Sequence, residues 1–490
     1  MGTNVSLSEF VPAADDLKSG RLAGEMLLLL PPYTALGFDQ NINGMDLSPH
    51  QTMGQVRSLE RICAYGRPLW NAGYVSAASG GDSMDETTFF QDARMKLLCS
   101  DKFNGEDIYQ VFAILSYTVC LDLVLGNRKA TELANTSVAK HMRLLIDVND
   151  HRTVFTKASS EPVLALVGAY IAAKANNLLD IIEGLTNNLC KDGLVDKGRH
   201  GELLARMILF IARIQSCSAP LTPLSFAAPV PVVDFLKTLF GEELWDKTPG
   251  HKCFEEGLKG GYVNFHHFTL TRDEMPVKED LNLEANLWAR GTAVQCKFEQ
   301  VDVDGHIPVY WGSIDEDEPF DPSNFSNLNY QVKFSKAGDT VSADRIQRRA
   351  SDRASKHPFI AVFLDMGNEQ TYMSTGSRLS LETGAETLQR LSGTNSSGQK
   401  TARTAKKAKK TLELDANRYC INARGCDEDV FGVLKTMGIA EKWKTLVEIT
   451  VETPASERDI VKTMQPLYRF DPALGHCDWM HDYSALHDQA

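Results

Sequence analysis

DGHIPVYW at residues 304–311 and NLNYQVKF at residues 327–334 read as two short strands joined by a loop. Each is a run of apolar and β-branched or aromatic residues bounded by turn formers. Asp304 stands immediately before the first. In the second, Gln331 and Lys333 are two residues apart, and the period of two along a strand puts both on one face. If the two strands pair as a hairpin, all three side chains converge at one end of a sheet. A phosphodiester hydrolase uses this set of groups. Carboxylate and amide oxygens hold Mg²⁺ (or Mn²⁺), which polarises the phosphate and acidifies a bound water. A lysine beside them orients that water and stabilises the developing negative charge. Asp-Gly is also an ordinary turn signal, and Gln331 and Lys333 equally suit the solvated face of an edge strand.

Working outward, LNLEANLWARGTAVQCKFEQ (281–300) has helical spacing, with Glu284 as a candidate additional acid at the metal. Arg290, with Arg345, Arg348, Arg349 and Arg353, is a candidate for phosphate contacts. HPFIAVFLDMG (357–367) and YVNFHHFTL (262–270) are further strand-like runs. Neighbours on a strand face opposite ways, so His266 and His267 are not expected to share a ligand. A helix, several short strands and more helix indicate an α/β or α+β domain over 261–455.

The preceding 86–260 is mostly helical. DIYQVFAILSYTVCLDLVL (107–125) is apolar nearly all round, which predicts one buried helix. Ser159-Ser160-Glu161-Pro162 predicts a hydroxyl cap with proline near N1. A helix begins near His200, where Glu202 and Arg206 are spaced for an ion pair. PVPVVDFLKTLFG (229–241) places prolines before a helix and Gly241 at its C-cap. Residues 1–85 are irregular and rich in turn signals. The span 392–410, SGTNSSGQKTARTAKKAKK, reads as a disordered insertion. Its lysines suit a nuclear-import signal, a polyanion contact or a solvated loop. Residues 456–490 form a tail in which His476, Cys477 and His481 lack a second pair of metal ligands.

The bulk numbers bound the reading. A net charge of −13 does not draw the whole molecule to nucleic acid, so any polyanion must meet a local basic surface. Ten cysteines are scattered without a CxxC pair, arguing for reduced thiols in an intracellular protein. The apolar run Met26–Leu30 ends at Pro31-Pro32, too short for a membrane span, and lacks the flanks of a signal peptide. No Walker phosphate loop occurs. At 490 residues two or three domains, each with its own core, are expected.

An acid before a strand and (E/Q)-x-K on the next is similar to the restriction-endonuclease-like, or PD-(D/E)XK, superfamily. The resemblance implies that Asp304 is the metal-binding Asp, that Gln331 holds the (D/E) position and that Lys333 is the catalytic lysine. The phrases SSEPVLALVG, GLVDKGRHGELLARMIL, YVNFHHF, RGTAVQCKFEQVDVDGHIPV and HPFIAVFLDMG look like a set of uncharacterised fungal proteins of Crinkler-type architecture. In these a P-loop ATPase module precedes a nuclease-like one. YGRPLW (65–70) resembles the tail of that ATPase part, here without its phosphate loop. The resulting expectation is an α+β chain: a mainly helical N-terminal half, then an α/β restriction-endonuclease-like core with a mixed sheet. Its function is a metal-dependent nuclease on DNA or RNA. The alternative is a catalytically inactive nuclease-fold protein that binds nucleic acid or protein. A third reading has the helical part dock a separate ATPase or host protein, with exposed apolar patches over 100–250.

Overall fold

A computed structural model describes residues 37–42, 47, 50–79, 85–124, 127–149, 153–195, 200–217, 222–271, 273–275, 280–297, 300, 303–334, 357–367, 372–377 and 418–449. The chain is α+β, with a helical N-terminal half and a mixed, curled sheet in the C-terminal half. The helices are α1 (Met53–Val56), α2 (Leu59–Ala64), α3 (Pro68–Ser79), α4 (Glu86–Leu98), α5 (Ile108–Val119), α6 (Arg128–Lys140), α7 (Pro162–Ala172) and α8 (Ala175–Gly184), then α9 (His200–Gln215), α10 (Val232–Phe240), α11 (Glu242–Lys247), α12 (His251–Gly257) and α13 (Leu281–Arg290), and near the end α14 (Gly432–Thr436) and α15 (440–449). A two-stranded hairpin, β1 (Leu144–Asn149) and β2 (Thr153–Lys157), interrupts the helical half, which the sequence pattern predicts to be mostly helix.

The large sheet runs β10 (Tyr372–Ser377), β11 (Arg418–Arg424), β9 (Phe359–Asp365), β8 (Phe325–Lys333), β7 (Gly305–Trp311), β4 (Gly261–Val263), β3 (Val230–Pro231). β6 (Thr292–Gln295) joins the other end of β7 and carries β5 (His267–Leu270). β7 and β8 form the expected antiparallel pair, with Gly305 opposite Tyr330. β9 lies parallel to β8, with Lys333 beside Asp365. At Gly305 a Cβ would lie 2.0 Å from the Tyr330 ring, so only glycine lets that ring cross β7.

The two faces of β8 differ. Leu328 and Tyr330 meet Ile307, Val309, Ile360 and Val362 on the side covered by α9 and α10, within the principal core. Asn327, Asn329, Gln331 and Lys333 alternate onto the other face. There α13 covers the Phe325 end, its Trp288 ring packing against Tyr310, Phe320 and Phe325. The principal core is continuous from Ile62 to Leu446. Helical layer and sheet therefore share one core instead of burying two, and β3 enters the sheet from within the span expected to be mostly helical.

Several local expectations are corrected. The helix read over 107–125 stops at Val119, where Cys120 turns left-handed at φ 46° and its N–H bonds the Leu115 carbonyl. The run 281–300 is helix only to Arg290. Gly291 takes φ 69° and the chain continues as β6, because a left-handed glycine terminates the helix and redirects the backbone. Pro162 is at N1 of α7 as read, but Glu161 is the N-cap and makes no side-chain cap bond. The hydroxyls are committed elsewhere: Ser159 to Glu161, and Ser160 to His267 Nε2 at 2.8 Å. Gly241 ends α10 with φ 81°, as expected. No single described helix is long and apolar enough to cross a membrane.

Candidate active site

Asp304 ends the loop entering β7 and is held on three sides by backbone. Its N–H donates to the Tyr330 carbonyl at 2.9 Å, and its carbonyl accepts from Cys296 N–H at 2.9 Å. Its Oδ2 accepts from Val332 N–H at 2.6 Å. The carboxylate thus takes the place in the ladder that a backbone carbonyl would fill. The β7–β8 ladder ends at Gly305–Tyr330, and just beyond it Asp304 bonds Tyr330 and Val332, the two chain neighbours of Gln331. Lys333 comes two residues on, on the same face as Gln331. Asp304 thus flanks Gln331 through its two chain neighbours, and Lys333 is near enough to act on the Asp304 carboxyl.

Electrostatics mark this corner. Burial pushes the Asp304 carboxyl up to about 6, helped by the neighbouring Glu202 and opposed by the Val332 N–H and by Lys333. Burial also raises the Cys296 thiol, with Asp304 and Glu202 adding to it. Gln331 Oε1 is shielded from solvent and accepts no hydrogen bond among the described residues. A buried acceptor without a donor is costly, and a cation is one way of satisfying it. Asp365, only 3% exposed, ends β9 beside Lys333, with Arg424 Nε 3.9 Å from its Oδ2.

Two sequence candidates lie elsewhere. Glu284 is not brought to Asp304. It is 3% exposed and accepts from His306 Nε2 at 2.7 Å and Asn327 Nδ2 at 3.1 Å. His306 Nδ1 in turn bonds Asn329 Oδ1 at 2.7 Å, so this acid anchors α13 to the sheet. Arg290 donates to the Ser160 carbonyl at 2.8 Å, pairs with Asp39 and lies 4.5 Å from the Tyr65 ring centroid. That guanidinium joins segments of the fold and is not presented to a phosphate. Arg345, Arg348, Arg349 and Arg353, the insertion 392–410 and the tail histidines and cysteine lie outside the described residues.

The adjacent histidines do meet, contrary to the alternation argument. His266 precedes β5 and is not yet extended, so its Nδ1 comes within 3.1 Å of His267 Nδ1. Burial, with Arg290 nearby, lowers His267 to about 3, which makes it a neutral, internally bonded ring. YGRPLW is a packing corner: Arg67 and the Trp70 indole both bond the buried Glu161 carboxylate. Among the described residues of 100–250 no large apolar side chain is exposed, so the patch expected for a docking face is missing there.

Sequence reasoning missed Glu202, Gln295 and Asp365. Asp365 had a local signal, as the one charged residue closing an otherwise apolar strand. The helical spacing pairs Glu202 with Arg206, and the helical pattern over 281–300 includes Gln295. Their link, Gln295 Nε2 to Glu202 Oε2 at 2.9 Å, joins elements distant in sequence.

The family described as Domain of unknown function (DUF8736) matches residues 103–317. The matched span crosses the helical layer and ends between β7 and β8, so it includes Glu202 and Asp304 but not Gln331 or Lys333. No curated protein and no solved structure matches the chain.

Proposed function

We propose that this chain is a divalent-metal-dependent phosphodiesterase acting on DNA or RNA through Asp304, Gln331 and Lys333. The observation that carries the reading is the pair of bonds from Asp304 to Tyr330 and Val332, the chain neighbours of Gln331, with Lys333 two residues on and Oε1 of Gln331 without a hydrogen-bond partner among the described residues. The donors fit a hard cation such as Mg²⁺ or Mn²⁺, since both are oxygens and one is a carboxylate. When bound, the cation polarises the phosphate and acidifies water. Asp304 and Gln331 hold it, and the Lys333 ammonium orients the attacking water and stabilises the negative charge that develops.

A second reading is a nuclease-fold module that binds nucleic acid or protein without cutting. It is favoured by the neutral amide at 331. It also agrees with the described residues, where no group of three or more His, Cys, Asp or Glu side chains is arranged to hold a metal. Incubating the purified full chain with plasmid or oligonucleotide and Mg²⁺ or Mn²⁺ separates the two. The first reading expects cleavage, abolished in Lys333→Ala while the melting temperature is kept. Cleavage unaffected by Lys333→Ala removes the assignment of this site. No cleavage with either metal, alongside retained binding, gives the second reading.

A further inference from the structure

At the end of the sheet that holds Lys333, register lines up four side chains on neighbouring strands. Lys333 of β8 pairs with Asp365 of β9, Asp365 with Arg424 of β11, and Arg424 with Tyr372 of β10. We propose that this row is a binding surface for a single nucleic-acid strand, with Arg424 taking a phosphate and Tyr372 stacking on a base. The inference rests on the nuclease reading above, whose Lys333 stands at one end of the row.

The four share a face. Residues paired across neighbouring strands project to the same side of a sheet, and their chain neighbours project to the other. Leu364, Ala423 and Met373, the chain neighbours of Asp365, Arg424 and Tyr372, all lie in the principal core. The row is therefore on the opposite face, the one that carries Gln331. Neighbouring strands are about 4.8 Å apart, so Lys333 and Tyr372, three strands apart, stand roughly 14 Å from each other along the row.

Two members of the row are open to solvent. Tyr372 is 53% exposed and, of the large hydrophobic side chains exposed among the described residues, is the one on the sheet. The Arg424 side chain is 35% exposed and makes no side-chain hydrogen bond among the described residues. It meets Asp365 at 3.9 Å, longer than a hydrogen bond, so its fork of donors is not used up there. Such a fork matches the oxygens of a phosphate. Within the row two cations flank one acid, which supplies the local positive surface that a chain of net charge −13 needs for a polyanion. Arg290, bonded to the Ser160 carbonyl and Asp39, does not supply it. An open aromatic face beside a phosphate site suits an unstacked base. Bases in a duplex are covered by their neighbours, so the occupant is a single strand.

The test is fluorescence anisotropy of the full chain with labelled oligothymidylate or oligouridylate of about fifteen nucleotides, and with a labelled DNA duplex, in EDTA so that no strand is cut. Wild type is expected to bind the single strands. Tyr372→Ala should weaken that binding about tenfold and leave duplex affinity as it was, whereas Tyr372→Phe, which keeps the ring, should bind as wild type does. Arg424→Gln should lower the salt slope by about 0.7. Neither side chain is buried, so the melting temperature should hold; the Tyr372 pair serves if Arg424→Gln fails to fold. A loss on either oligonucleotide supports the proposal, and the tighter of the two gives the sugar. Unchanged single-strand affinity in Tyr372→Ala, equal losses on single strand and duplex, or no single-strand binding by wild type overturns it, as does an unchanged salt slope in folded Arg424→Gln. The parent reading is judged separately, by metal-dependent cleavage and its loss in Lys333→Ala, and survives any of these results.

Discussion

Glu284 offers the sharpest separation of structural from functional carboxylates. The acid is 3% exposed and accepts two hydrogen bonds, from His306 and Asn327, both of which are also buried. Glu284→Leu leaves both donors unsatisfied, at about 1–3 kcal/mol each. Removing one side of a buried polar pair costs about 3–5 kcal/mol, so the two routes agree on a loss near that range. Glu284→Gln keeps one acceptor and turns an N–H₂ toward the other donor, so about half that loss is expected. The denaturant midpoint, followed by tryptophan fluorescence, should fall in the order wild type, Glu284→Gln, Glu284→Leu, at unchanged slope. Trp288, one turn along the same helix, reports the site directly. Mn²⁺ affinity of Glu284→Gln should equal that of wild type, because Asn327 lies four residues, ~13 Å, along β8 from Gln331. An unchanged midpoint with lost Mn²⁺ affinity would refute the reasoning and return Glu284 to the metal site.

Asp304 predicts a pH dependence. Its folded value of about 6 lies above the ordinary 3.8, so the stability it contributes is fully present below 3.8 and lost as pH rises through about 6. Asp304→Asn should flatten that part of the metal-free stability–pH profile and raise neutral-pH stability by up to about 3 kcal/mol. Melting across a pH series checks this, and a profile like that of wild type counts against it. Arg290→Ala should lower stability by about 2–4 kcal/mol by leaving Asp39 and the Ser160 carbonyl without their donor. The salt dependence of any nucleic-acid binding should not change; a slope reduced by about one would mean that Arg290 contacts phosphate.

The strands of the sheet were legible because their pattern is local. HIPVYW, NYQVKF and FIAVFLD are apolar runs of strand length between turn formers, and each became the strand it resembled. Helix starts with strong local chemistry, at His200 and before Val232, were equally plain. Helix ends were not. Cys120 and Gly291 turn the backbone left-handed within sequences whose apolar spacing continues past them, and periodicity carries no information about that turn. The β1–β2 hairpin lies in a span whose pattern is mostly helical and carries no strand signal strong enough to mark it.

The same division runs through the candidate site. The sequence alone determined that Asp304 precedes a strand and that Gln331 and Lys333 share a face, because strand geometry repeats every two residues whatever surrounds it. It did not determine which other acids join them. Glu284 lies nearer in sequence to Asp304 than Glu202 does, yet the packing of α13 turns it into an internal anchor. The packing of α9 against β8 instead brings Glu202 to Gln295 and within electrostatic reach of Asp304. That choice depends on how one shared core closes between a helical layer and a sheet, a contact between residues far apart in the chain that no local pattern encodes.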